Sequence, residues 1–154
     1  MLNEQIASEL GNDLQAITVG AIQTVNYNGY GPANATGKTA ASIYWRQTKA
    51  GIDIMGPDYV LTLVHGRGPT VANGNGVLRA KIREWLDAKG IGEPDKRNSI
   101  SYAVTRNIHK KGTTLYQKGG NSPIFDALVS EPVQELIARA AKTNFINQIK
   151  GWAR

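Results

Sequence analysis

Apolar residues recur at steps of three and four through Leu2, Ile6, Leu10, Leu14, Ile17, Ala21 and Val25. The stripe predicts a helix over residues 2–26 that either packs across the domain or projects from it. Gly11 and Gly20 lie inside the pattern and each costs about 1 kcal/mol relative to alanine. The segment therefore reads as one helix kinked near Gly11, or as two pieces broken there. YNGYGPANATG, residues 27–37, is almost wholly turn-forming and reads as a loop. SIYWRQT and GIDIMG, joined by TKAG, carry β-branched and aromatic residues, with Ile52 and Ile54 on one side. They predict a hairpin over 41–48 and 51–57. YVLTLV is a short apolar run read as a further strand over 60–64.

The second half of the chain is mostly helical in its spacing. After the glycine-rich turn GRGPTVANGNG, the positions Leu78, Ile82, Trp85 and Leu86 share one face of a helix over 78–89. Gly90 should end it in the left-handed conformation, with Ile91 folding back on Leu86. Ser99 is the expected cap of a helix over 99–111, whose inner face is Ile100, Ala103, Val104 and Ile108. His109, Lys110 and Lys111 fall in its last turn, where cations offset the helix dipole, and Gly112 stops it. TTLYQK reads as a strand over 113–118. PIFDALVS reads as a short helical turn opened by Pro123. From Pro132 a last helix over 131–150 carries Val133, Leu136, Ile137, Ala140, Phe145 and Ile149.

The order of these segments resembles that in the neck and tail-completion proteins of tailed bacteriophages, the small connector proteins encoded between head and tail genes. The resemblance lies in TGKTAASIYW (Thr36 to Trp45), the aromatic segment running into a glycine-arginine turn (DYVLTLVHGRGPT), WLDAKGI (Trp85 to Ile91), YAVTRNIHKKGT (Tyr102 to Thr113) and the closing helix. It spans residues 2–150, and its specificity lies in the order rather than in any one motif. It implies a non-enzymatic virion subunit at the head-tail junction or tail end. Such a subunit assembles in the host bacterial cytoplasm as a homo-oligomeric ring, with six and twelve copies both open. Its partners would be the connector or portal-side protein on one side and tail proteins on the other. It also makes Gly37 the start of a strand.

The fold expected is a single α+β domain over residues 1–154: a small, mainly antiparallel sheet packed on helices, with a long N-terminal and a long C-terminal helix. The glycine-rich loops at 27–37, 66–76 and 117–122 are the expected docking segments, being long and polar. Tyr30, His65, Arg67, Asn73, Asn75 and Lys118 are the candidate contacts in and beside them. Trp45, Trp85, Gly90 and Ile91 are the expected structural anchors.

Composition narrows the chemistry. The chain has no cysteine, so thiol nucleophiles, thiolate metal sites and disulfides are excluded. The opening MLNEQIASELGNDL has polar and acidic groups every few residues and reads as neither a secretory signal nor a transit peptide. No run approaches the ~18 apolar residues of a membrane span, so a soluble protein is expected. Eighteen Lys and Arg against 12 Asp and Glu give a formal charge of +6, which favours acidic partners. The excess is spread along the chain. It predicts weak, sequence-blind contact with DNA, and a small basic DNA-binding module is the alternative reading.

Gly37-Lys38-Thr39 ends like a phosphate-binding loop, but no glycine stands at the required distance before it. His65 and His109 belong to no spaced ligand set, and His109 reads as a solvated partner of the helix dipole. There is no GxSxG, and most of the 12 acids fall on helix faces. No catalytic, cofactor-binding or metal-binding residue is expected, and no cofactor.

Overall fold

The stripe on the first helix becomes the axis of the core. The computed structural model describes residues 2–26, 29, 31–70 and 76–152. Helix α1 (Glu4–Thr24) starts at Asn3, whose side chain accepts the Gln5 N–H at 2.9 Å. Ile6, Ala7, Leu10, Leu14, Ala21 and Ile22 are buried, so α1 packs across the body and does not project. Neither glycine breaks it. At Gly11 the indole of Trp45 lies directly on the backbone, and a Cβ there would sit 2.6 Å from Trp45 Cε3. The glycine makes room for a ring on the next element rather than for a kink.

That ring comes from a two-stranded antiparallel sheet, β1 (Tyr44–Gln47) and β2 (Ile52–Met55), in the register Tyr44 to Met55 and Gln47 to Ile52. Thr48 N–H donates to Gly51 O at 2.8 Å and closes the turn. The strands are shorter than the 41–48 and 51–57 expected. Gly37, at φ 77°, opens a helical turn, α2 (Lys38–Ala41), so it does not begin a strand.

Two further expected strands are helical. Residues 60–64 belong to α3 (Val60–His65), in which Val60, Leu63 and Val64 are half-buried while Leu61 and Thr62 are exposed. That is helical spacing, and the carbonyls of Pro57, Asp58 and Tyr59 nucleate it by accepting from Val60, Leu61 and Thr62. Residues 113–118 form one turn, α6 (Thr114–Gln117), because the Thr113 hydroxyl caps it by accepting from Tyr116 N. The class is α+β with a small antiparallel sheet and long helices at both ends, but the described sheet has two strands, not four.

Helices α4 (Val77–Lys89) and α5 (Arg97–Lys111) form a hairpin. Gly90 is left-handed at φ 65°, and the Ile91 N–H donates to Leu86 O at 3.0 Å, the fold-back expected of this stop. Arg97 holds the connection by donating to Asp87 Oδ1 (3.0 Å) and to the carbonyls of Ile91 (3.2 Å) and Gly92 (3.1 Å). Helix α5 begins two residues before the expected cap, and the Ser99 hydroxyl donates back to Lys96 O at 2.8 Å instead. A 3-10 helix (Pro123–Val129) leads into α7 (Glu131–Trp152).

The core has two centres joined by α1. Towards its C-terminus Ile22 packs with Ala40, Ile43 and Ile124; towards its N-terminus Leu10 and Leu14 pack with Val133, and Ile54 touches both groups. Helix α7 meets α1 through Val133, Leu136 and Ala140, and the Asn3 N–H donates to Asn144 Oδ1 at 2.8 Å. Among the described residues no helix is long and apolar enough to cross a membrane.

Candidate functional site

The glycine-arginine turn after α3 is held against the start of α6 by its own backbone. Arg67 N–H donates to Thr113 Oγ1 at 2.9 Å, while Thr113 N–H donates to Arg67 O at 2.8 Å. Thr70 N–H donates to His109 O at 2.9 Å. The far side is tied down as well. Asn121 and Ser122 N–H both donate to Val64 O, at 2.8 and 2.9 Å, and the Ser122 hydroxyl donates to Leu63 O at 2.6 Å. The result is a clasp of two segments far apart in sequence, 63–70 and 109–122.

Glycine is what lets the two segments approach. Gly66 has φ 73°, and a Cβ on it would stand 2.6 Å from Thr113 Oγ1 and 2.9 Å from Tyr116 Cα. Gly112 has φ 78°, and its Cβ would stand 2.7 Å from Arg67 O. Each glycine thus faces the backbone of the opposite segment, where no side chain fits. Around them opens a cavity of about 580 Å³ lined by His65, Gly66, Gly68, Tyr116, Gln117, Gly119 and Gly120. His65 in its wall is exposed, as is Lys118 between Gln117 and Gly119, and Arg67 is half-buried with Nη2 3.4 Å from Thr70 Oγ1.

Of the six candidate contacts, His65 lines this cavity, and Arg67 and Lys118 belong to the two segments that the clasp joins. Tyr30, Asn73 and Asn75 lie outside the described residues. Thr113 and Tyr116, which do most to build the site, carry no mark in the sequence beyond a threonine following a helix-stopping glycine. His109 is half-buried, and its Nδ1 is shielded from solvent with no hydrogen-bond partner among the described residues, so it is not the solvated group expected.

The clasp also concentrates charge. Residues 59–83 and 96–125 contain no Asp or Glu, and these two acid-free stretches are the ones the clasp joins. Lys110 and Lys111 are exposed in the last turn of α5, immediately before the residues that bind the Arg67 turn. Arg67, Lys110, Lys111 and Lys118 thus belong to the segments that the clasp brings together.

The expected anchors behave unequally. Trp45 is half-buried against Gly11, and its Nε1 donates to Asn12 Oδ1 at 2.9 Å. Trp85 is half-buried; the fully enclosed residue on that helix face is Leu86, 1% exposed. Gly90 and Ile91 serve as the helix stop. Lys89 reaches from that end of α4 to donate to Pro32 O at 2.8 Å, and Lys38 pairs with Glu84, so two lysines tie the helical hairpin to the body. Among the described residues no group of three His, Asp or Glu side chains is placed to hold a metal ion. No family model, no curated protein and no solved structure matches this chain.

Proposed function

We propose that the protein is a structural subunit of a tailed-bacteriophage virion, one copy of a ring at the head-tail junction or tail end. The motif order from Thr36 to Thr113 supports this reading. The observation that carries it is the clasp, in which His65 and Tyr116 line an open cavity of about 580 Å³ and Arg67 and Lys118 belong to the two segments held together around it. A ring closes when one patch of a subunit meets a different patch of the next at a fixed rotation. On this reading the clasp is such a patch: its backbone is fixed by reciprocal hydrogen bonds, while His65, Tyr116 and Lys118 are exposed.

Native mass measurement and negative-stain microscopy of the purified protein, alone and mixed with its connector-side and tail-side partners, test the proposal. Closed rings of defined copy number are expected, and substitutions at His65 and Lys118 should weaken them. A mass that stays monomeric at high concentration and with those partners present overturns the reading.

The joining of two acid-free stretches at the clasp favours one second reading, a DNA-binding module using Arg67, Lys110, Lys111 and Lys118. Binding through charge alone falls steeply with salt, because each neutralised phosphate releases a counterion. Tight, sequence-dependent binding that persists at ~200 mM salt would replace the ring reading with this one.

A further inference from the structure

Helix α5 has 15 residues and no acid; its bases are Arg97, Arg106, His109, Lys110 and Lys111. Arg97 is neutralised by Asp87, while Glu84 and Glu93, in the same helical hairpin, pair with Lys38 and Lys96. Arg106 and Lys110 pair with no acid among the described residues. They stand four apart, a like-charge spacing that is unfavourable on a helix until an anion covers it.

These two cations share a face with Tyr102. Each step of four turns about 40° around the helix, so Tyr102, Arg106 and Lys110 lie within about 80° of arc and about 12 Å of length. Ser99 falls inside the arc and Asn107 beside it. All five are exposed, Tyr102 at 55%, while Ser101 and Ile108 are buried on the opposite side. Helix α4 adds a third cation at the start of this strip. Arg79 Nη2 donates to Asn98 Oδ1 at 2.9 Å, and its guanidinium lies 5.4 Å from the centre of the Tyr102 ring. Arg79 is therefore held in place before any partner arrives, with further N–H groups still to donate.

The chemistry of the strip indicates its partner. Arginine and lysine interleaved with serine, asparagine and tyrosine are the side chains that bond phosphate oxygens. A lipid surface would require an apolar face, and α5 turns Ile108 inward and presents no large aliphatic residue on the strip. A protein partner would require an apolar anchor to desolvate, and the one ring on the strip already carries Arg79.

We propose that the outward face of α5, with Arg79 beside it, lies against the sugar-phosphate backbone of duplex DNA without reading its sequence. This contact is independent of the ring reading. It also differs from a DNA-binding module centred on the clasp, with which it shares only Lys110, and in being blind to sequence.

Fluorescence anisotropy of the full chain with two labelled duplexes of unrelated sequence tests it. Both should bind alike, and with three phosphates neutralised the affinity should fall about 40-fold between ~50 and ~200 mM salt. Arg79→Gln, Arg106→Gln and Lys110→Gln should each reduce the slope of log affinity against log salt by about 1, with an unchanged circular dichroism spectrum, and Arg106→Lys should keep the parent slope. Lys111→Gln, about 100° further round the helix, and Lys118→Gln, on the clasp, remove the same charge off the strip and should leave the slope unchanged. Equal losses at all five positions overturn the proposal, as does a parent that binds neither duplex at ~100 µM protein and ~50 mM salt. So does a preference for one duplex, or binding to polyglutamate or anionic phosphatidylglycerol vesicles that is as tight and as dependent on Arg106. Rings formed by a chain that binds no DNA would leave the ring reading standing and remove this one; DNA binding by a chain that forms no rings would do the reverse.

Discussion

Gly11 and Gly20 sit nine residues apart in one helix, yet the same substitution at each should change stability in opposite directions. Both have helical backbone angles, so alanine relieves the glycine penalty of about 0.5–1 kcal/mol at either site. At Gly20 a new Cβ meets nothing within 4 Å, and Gly20→Ala should realise that gain. At Gly11 the new Cβ would lie 2.6 Å from Trp45 Cε3 and 2.7 Å from Cε2, so the indole must move. Forcing one methyl into an occupied space costs about 1–3 kcal/mol. The propensity term is common to both variants and cancels in the comparison. Gly20→Ala should therefore be more stable than Gly11→Ala by about 1–3 kcal/mol. A displaced indole also loses the bond from Nε1 to Asn12 Oδ1, adding about 0.5–1.5 kcal/mol. Urea unfolding of the parent and both variants, read as midpoint shifts at constant slope, measures this directly. Replacing Trp45 with leucine should remove most of the difference. If Gly11→Ala is as stable as Gly20→Ala in the presence of Trp45, the ring does not rest on the helix backbone and the reasoning for position 11 is wrong.

Leu86→Ala should cost about 2–5 kcal/mol, and more than Trp85→Ala, because Leu86 is enclosed and Trp85 only half-buried; thermal unfolding of the two variants decides the order. Gly66→Ala meets both a left-handed backbone angle and the backbone of Tyr116, and should cost about 1–3 kcal/mol from the angle alone, with faster amide exchange at Arg67 and Thr113. The hydrogen bond and charge of Glu84 raise the Lys38 pKa. A raised lysine pKa gives stability that is complete below the unfolded value and is lost as pH climbs through the folded one, so the α2 to α4 tie should weaken only above pH ~10.4. Lys38→Gln should flatten that alkaline decline in the urea midpoint, and salt should shrink it in the parent because the pair is exposed.

What the sequence made legible depends on how far each signal reaches. The stripe on α1 is long, so its periodicity survives two glycines, and the Gly90-Ile91 stop is a local geometry that needs only adjacent residues. The hairpin around TKAG and the α+β class rest on equally local patterns. YVLTLV is too short for periodicity to separate strand from helix, and the deciding atoms are the carbonyls of Pro57 to Tyr59 before it. TTLYQK fails for a related reason, since one hydroxyl, on Thr113, turns it into a helical cap. Of the candidate site, the HGRG turn stands out in the sequence, but its counterpart does not. Arg67 and Thr113 are separated by the whole of α4 and α5, and no pattern in either segment announces the other. The purpose of Gly11 is hidden in the same way, because the reason for it is Trp45 on another element.

The two-centred core has a bearing on synthesis. Leu10 and Leu14 emerge from the ribosome first, but Val133, which closes their side of the core, comes roughly 120 residues later, or about 6–24 s at ordinary elongation rates. During that interval Ile22 can already settle against Ala40 and Ile43, and the hairpin can lay Trp45 and Ile54 on the N-terminal half of the same helix, while the flank that Val133, Leu136 and Ala140 cover stays open. The nascent chain thus carries an open apolar flank until α7 is made, a natural place for chaperones to bind and for premature contact between neighbouring chains on one message.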